Sequence, residues 1–268
     1  MIIDFHAHVF PDTLAPRAIP ILAEKARLVP YHDGTVSGLV GMMDKCGIDL
    51  STALSIATKP TQENSVNTFA ISLKDNPRLI PFGSVFPGSE TWENQLERLS
   101  EAGIKGIKLH PEYQGFNLDC EQALRVYKKC GELGLIVEFH AGEDDGCPPP
   151  IHTGSERINR VCDKAPDTIF VAAHLGGYNL WDDTAKNLEA HGNLYLDTSM
   201  TQTRSIPPVE TVLEIIEKIG EDRILFASDS PWESQSDSIH GIERLGLPYE
   251  VKEKIFFKNA ARLLGLGI

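Results

Sequence analysis

A chain of 268 residues that is 41% hydrophobic and 24% charged has enough length and apolar content for one large core, which excludes a disordered or fibrous protein. Its formal charge of −13 repels phosphate backbones and anionic lipid, which excludes nucleic acid and membrane surfaces as default partners. No apolar run reaches the ~18 residues of a membrane span, and the opening MIIDFHAHVF has neither the basic flank nor the cleavage site of a signal peptide, so the chain reads as cytoplasmic.

In chain order, the first predicted strand covers residues 2–8 and runs into a long loop over 9–35, followed by a helix over 36–46. Further strands fall at 52–57, 79–85, 104–110, 135–140, 169–174, 194–198 and 224–229. Amphipathic helices at 61–75, 92–101, 121–134, 154–164, 180–190 and 209–219 separate them, and segments 231–245 and 248–264 close the chain. Strict alternation of strand and helix implies parallel strands joined by right-handed crossovers, and eight of them can close on themselves. The prediction is therefore one domain over residues 1–268, an α/β (β/α)₈ or TIM barrel. A doubly wound open sheet would show a Gly-rich loop after its first strand, where this chain has His-Ala-His and then Phe-Pro. The loops at 9–35 and 141–153 are long and rich in Gly, Pro or polar residues, as active-site lids often are.

The polar residues cluster at the C-terminal ends of the predicted strands, where barrel enzymes carry their sites. His6, His8, His110, His140 and His174, five of the nine histidines, fall there with Asp197 and Asp229. In His6-Ala7-His8 both imidazoles point to one face of a strand and can share one metal ion, with Asp4 on that face deeper in the barrel. A site of three imidazoles and a carboxylate suits zinc, with manganese, iron or cobalt as alternatives. On neighbouring strands four and five, Lys108 is expected to pair with Glu138, because a buried charge needs a partner. A carbamylated Lys108 bridging two metals is the alternative.

Other residues are weaker candidates. His32, His191 and His240 lie off the strand ends and read as surface groups, whereas His152 sits in a loop that could close over a ligand. Lys59 and Arg204, after strands two and seven, are cations that could grip an acid. Trp181 and Trp232 closely follow His174 and Asp229, and each fits either a pocket wall or the core. The odd count of five cysteines, without a C-x-x-C pair, fits reduced thiols rather than disulfides or a zinc ribbon.

The segments IIDFHAHVF, GIKLHP, VEFHAG, VAAHLGG and ILFASDSPW, taken in order from strand one to strand eight, resemble the amidohydrolase superfamily. The similarity is to its amidohydrolase-2 branch, which includes the aminocarboxymuconate-semialdehyde decarboxylases. The resemblance implies one metal held by His6, His8, His140 and Asp229, with His174 beside it as acid, base or substrate contact. TatD-type deoxyribonucleases share the His-x-His opening but carry a Glu ligand at strand four, where this chain has Lys108 and His110. The expected function is hydrolysis of the C–N or C–O bond of a small amide, lactone or ester by a metal-activated water, with Asp229 and His174 as the catalytic pair. His110, Lys108, His152 and Arg204 would touch substrate. The alternatives are decarboxylation of a small unsaturated or aromatic acid at the same metal, and a non-catalytic ligand-binding barrel. A homodimer is the expected assembly.

Overall fold

The computed structural model of the chain describes residues 1–202 and 205–267. Among them run eight parallel strands: β1 (Ile3–Asp4), β2 (Leu50–Leu54), β3 (Leu79–Phe82), β4 (Gly106–Leu109), β5 (Ile136–Phe139), β6 (Phe170–Ala172), β7 (Leu194–Asp197) and β8 (Ile224–Leu225). They pair in chain order as two sets, β1 to β3 and β4 to β8. Two seams close the cylinder. At the first, Gly83 N donates to the Gly106 carbonyl at 3.0 Å and Lys108 N to the Gly83 carbonyl at 2.8 Å. At the second, Phe5 N donates to the Phe226 carbonyl at 2.8 Å, and Asp229 N and His8 N donate to the His6 and Ser230 carbonyls, each at 2.7 Å. With no open edge left, the architecture is the (β/α)₈ barrel that the alternation predicts.

The surrounding helices are α1 (Ala15–Ala26), α2 (Val36–Cys46), α3 (Glu63–Ser72), α4 (Trp92–Glu101), α5 (Pro111–Gln114), α6 (Glu121–Leu133), α7 (Ser155–Lys164), α8 (Trp181–Asn187), α9 (Val209–Ile219), α10 (Gln235–Arg244), α11 (Tyr249–Glu253) and α12 (Asn259–Leu264). Strand side chains alternate between two cores. Ile107, Leu109, Val137, Phe139, Leu194 and Leu196 point outward into a layer with Leu99 of α4, Val126 of α6 and Ile215 of α9. Ile3, Phe5, Phe82, Ile136, Val171, Tyr195 and Leu225 fill the barrel, whose N-terminal end is plugged by Ala260, Ala261 and Leu264 of α12. Gly106 makes room for this filling, since a Cβ there would lie 2.6 Å from the Phe82 ring and 2.5 Å from the Ile136 carbonyl oxygen.

Two sequence expectations change. The segment 9–35, expected as a loop, contains helix α1, which begins with a proline in its first turn and encloses a second, Pro20. Those prolines read as loop punctuation, but Pro16 falls at a position whose N–H a helix does not use. Asp4 does not share the face of His6 and His8. The chain bends at Phe5, where the Asp4 carboxylate accepts His6 N at 3.2 Å, and the alternation shifts by one residue. Asp4 then faces Ser228 N and Oγ at 2.9 and 2.6 Å and Gln235 Nε2 at 2.9 Å, stitching β1 to the chain after β8 and to α10. Burial pushes its carboxyl up to about 6, against these hydrogen bonds. No helix among the described residues is long and apolar enough to cross a membrane.

Candidate active site

Toward the C-terminal end of the barrel, the inward positions change from apolar to polar. Along β5 and beyond it the sequence is Ile136, Glu138, His140; along β7, Tyr195, Asp197, Ser199; along β8, Leu225, Ala227, Asp229. Each of these strands therefore anchors itself with an apolar side chain and presents its chemistry further along.

His6 Nδ1 lies 2.9 Å from Asp197 Oδ2 and 3.2 Å from Glu138 Oε1, so it carries the proton. His8 Nδ1 lies 3.2 Å from the Leu54 carbonyl oxygen and must donate as well. Neither Nε2 then carries a proton: that of His6 accepts from the Lys108 ammonium at 3.2 Å, and that of His8 has no donor facing it among the described residues. The two Nε2 atoms sit 3.2 Å apart, and Asp229 Oδ1 lies 3.4 Å from the first and 3.0 Å from the second. That oxygen is buried and has no hydrogen-bond partner. Three electron-pair donors facing one another with no proton between them repel, and a divalent cation would relieve that repulsion more fully than the Lys108 ammonium, which reaches His6 Nε2 alone. The donor set fits a metal. Burial, followed by the charge of Lys108, holds His6 well below the usual imidazole range, which keeps it neutral as a ligand requires.

Lys108 Nζ donates to Glu138 Oε1 at 3.0 Å, as expected from sequence, and also approaches His6 Nε2 at 3.2 Å. Burial raises the Glu138 carboxyl while the Lys108 ammonium opposes that rise. The pair is the charged floor of the site.

His140 and His174 form the adjacent wall. His140 Nε2 donates to the Glu143 carbonyl at 2.8 Å, leaving its Nδ1 to accept from His174 Nε2 at 3.0 Å. Ser199 Oγ lies 2.8 Å from His174 Nδ1 and also contacts an oxygen of Asp197, so one hydroxyl proton faces two acceptors. A protonated His174 completes the chain, its Nδ1–H donating to Ser199 and Ser199 donating to Asp197. Burial and the charges of His140 and His6 keep His174 well below the usual range, so it is neutral at rest and poised to carry a proton briefly. Backbone strain marks this end of the barrel, with positive φ at His174 (59°), Met200 (53°) and Asp229 (66°).

His110 differs from His6 and His8 in tautomer. Its Nδ1 accepts Tyr113 N at 3.3 Å, so Nε2 is the donor, facing Asp144 Oδ2 at 3.4 Å. Burial, then His140, pushes His110 down to about 3. Burial alone would raise Asp144, but the His110 hydrogen bond and His140 hold its carboxyl below the ordinary range.

These histidines, Lys108, Asp144 and Asp229 open into one cavity of about 630 Å³, while Glu138, Asp197 and Ser199 support them from behind. His6, His8, Lys108, His110, His140, His174 and Asp229 line its inner end, and Trp232 joins its wall. Trp181 is buried instead, donating Nε1 to the His174 carbonyl at 3.0 Å. His152 does not line the cavity. Its Nδ1 pairs with Glu112 Oε2 at 2.6 Å, which pins the loop after β5 to α5. Lys59 is exposed, and Arg204 lies outside the described residues. His32, read as a surface group, is half-buried, with Nε2 3.1 Å from Ser230 Oγ. The sequence reading also passed over Ser199 and Asp144. Ser199 stands two residues beyond Asp197, so strand alternation would have placed it on the same face, whereas Asp144 lies in a loop without periodicity.

Among solved structures, a dihydroxybenzoic acid decarboxylase from Polaromonas sp. JS666, with bound manganese and 2-nitroresorcinol, superposes with a TM-score of 0.72 at 18% identity, covering 100% of this chain and 97% of that one. A 5-carboxyvanillate decarboxylase from Novosphingobium aromaticivorans, complexed with manganese and a nitrobenzoic acid, gives 0.73 at 16% identity, covering 99% and 96%. An uncharacterized TIM-barrel protein from Bordetella bronchiseptica gives 0.78 at 20% identity, covering 98% of each chain. No curated protein sequence matches the chain. The family model described as Amidohydrolase matches residues 3–266, so this protein belongs to the amidohydrolase family.

Proposed function

We propose that the protein is a metal-dependent decarboxylase of a small aromatic or unsaturated acid. The observation that carries this reading is the meeting of His6 Nε2, His8 Nε2 and Asp229 Oδ1, three unprotonated electron-pair donors at the mouth of the barrel. The hydrolase favoured by sequence becomes the second reading, supported by the family description. Decarboxylation takes precedence because proteins of the same fold that act on aromatic acids surround this chain in structural comparison.

In this reading His6, His8 and Asp229 would hold one divalent ion. His140, expected from sequence as a fourth ligand, faces the same cavity but groups with His110 and Asp144. Both its ring nitrogens are engaged, by Glu143 and His174, so it would join the ion only by giving up the His174 hydrogen bond. Manganese is preferred to zinc, since it is the ion bound in the two decarboxylases. When bound, such an ion would supply positive charge that attracts the acid's anionic oxygens and stabilises the negative charge released as the C–C bond breaks. Lys108 and the His110 Nε2–H face the inner end of the cavity, where the carboxylate is received. A proton that His174 or Asp229 first takes up, from solvent or from a hydroxyl of the substrate, is added to the carbon bearing the carboxylate. The C–C bond then breaks, its electron pair stays with the remaining molecule, and carbon dioxide leaves. The Ser199–Asp197 chain behind His174 steadies the protonated ring before transfer.

The test loads the protein with Mn²⁺, measures metal per chain, and screens hydroxybenzoic acids, lactones, amides and esters. Carbon dioxide release is the expected result, with metal content falling sharply in the His6→Ala/His8→Ala variant. Acid release from a lactone or ester without carbon dioxide would favour hydrolysis. No turnover of any class would favour a binding barrel, and an unchanged metal ratio in the variant would remove both histidines from the metal.

A further inference from the structure

The inner end of the cavity is accounted for by the proposed reaction, but its outer half is not. Helix α1 lies across the mouth, fastened at its C-terminal end by Lys25, whose ammonium sits 4.3 Å from the Tyr113 ring centroid and 4.0 Å from Cys147 Sγ. Its Ile19 faces the body of the protein, close to Gly34 and Phe10. Leu14, Ala18, Ile21 and Leu22, spaced as one helical stripe, line the cavity instead. Leu14 and Ile21 remain 41% and 64% exposed, so this stripe has not spent its apolar surface on the core. Opposite lie Val66 and Phe69 of α3, again one helical turn apart. Among the described residues, Lys108 is the sole Lys or Arg lining the cavity, and it belongs to the inner end, paired with Glu138.

We infer that the substrate carries an uncharged apolar substituent several carbons long on the side away from its reacting carboxyl, seated between the stripes of α1 and α3. This rests on the decarboxylase reading only for which end of the molecule reacts. A single polar ring would leave the aliphatic wall facing water, whereas a tail covers it, at about 0.8 kcal/mol for each buried CH₂. Among the described residues, a tail ending in a second carboxylate would meet no cation lining that wall and would approach Asp144 and Asp145, which also line the cavity.

The experiment measures binding to the Mn²⁺-loaded protein by calorimetry for two homologous series, 4-alkyl-2-hydroxybenzoates and neutral 4-alkylphenols, from hydrogen to butyl. Affinity should rise about fourfold per carbon in both series, the fold-change equivalent of that burial energy. A butanoate tail should lose this gain. Leu22→Asp/Val66→Asp, at two half-buried helix positions, should flatten the slope in both series. Flat slopes in the wild type, or slopes that survive the double substitution, would overturn the inference. Carbon dioxide release with flat slopes would sink the apolar wall and keep the decarboxylase; steep slopes without release would do the reverse.

Discussion

The inner floor and the outer wall of the cavity are built by opposite rules. The floor takes its side chains from six different strands and locks several of them by hydrogen bonds between strands, as Asp197 locks His6 and Glu138 locks Lys108. The wall takes one stripe each from two helices, and its aliphatic groups have no directional partners. The contrast teaches where each task can reside. Chemistry needs groups held to fractions of an ångström, which crossing strands provide, while ligand choice needs only area and shape, which a surface helix can change without disturbing the barrel.

The contrast can be broken most severely at Asp229. Asp229→Asn should lower turnover by about 10²–10⁴-fold with an unchanged circular dichroism spectrum, and a full rate would remove the residue from proton transfer. Next comes the buried pair. Lys108→Met with Glu138 left in place should destabilise the fold by about 3–5 kcal/mol in urea titration, and adding Glu138→Leu should restore most of the loss. An indifferent single variant would mean that the floor is not rigid. Asp197→Asn should weaken manganese binding by roughly 10–100-fold, because His6 Nδ1–H loses its charged acceptor. An unaltered Kd would show that His6 is oriented by other contacts.

The smallest effect concerns His32, which holds the loop following α1 to Ser230. Burial lowers its pKa from 6.5 to about 4, with Asp33 opposing. The folded state then stays neutral where the unfolded chain takes up a proton. Its contribution to stability is complete above pH 6.5, declines as pH falls toward 4, and is constant below that. The Tm of His32→Gln should decline less steeply than that of the wild type across this window, and parallel profiles would contradict the burial of a neutral ring.

Much of the floor is legible in the sequence. Residues ending strands share a direction by simple alternation, so His6, His8, His140, His174 and Asp229 could be assigned to one mouth, and Lys108 to Glu138 on the next strand. Asp4 escaped because a single bend at Phe5 reverses the alternation, which no local pattern announces. The strands were read longer than their ladders for a related reason. Residues 5–8, 83–85 and 226–229 keep a strand's composition while leaving regular pairing, and the first and last of these stretches carry site residues. Helix α1 was hidden by Pro16 and Pro20, and with it the wall.

Sequence alone determined the order of elements, the closed barrel and the chemical types gathered at its mouth, because those follow from short periods and from which residues interrupt them. Tertiary structure decided which nitrogen of each imidazole is unprotonated and which carboxylate oxygen is left without a partner. Those choices depend on contacts between residues as distant as His6 and Asp197, 191 positions apart, and only the closed cylinder brings such atoms within a hydrogen bond of one another.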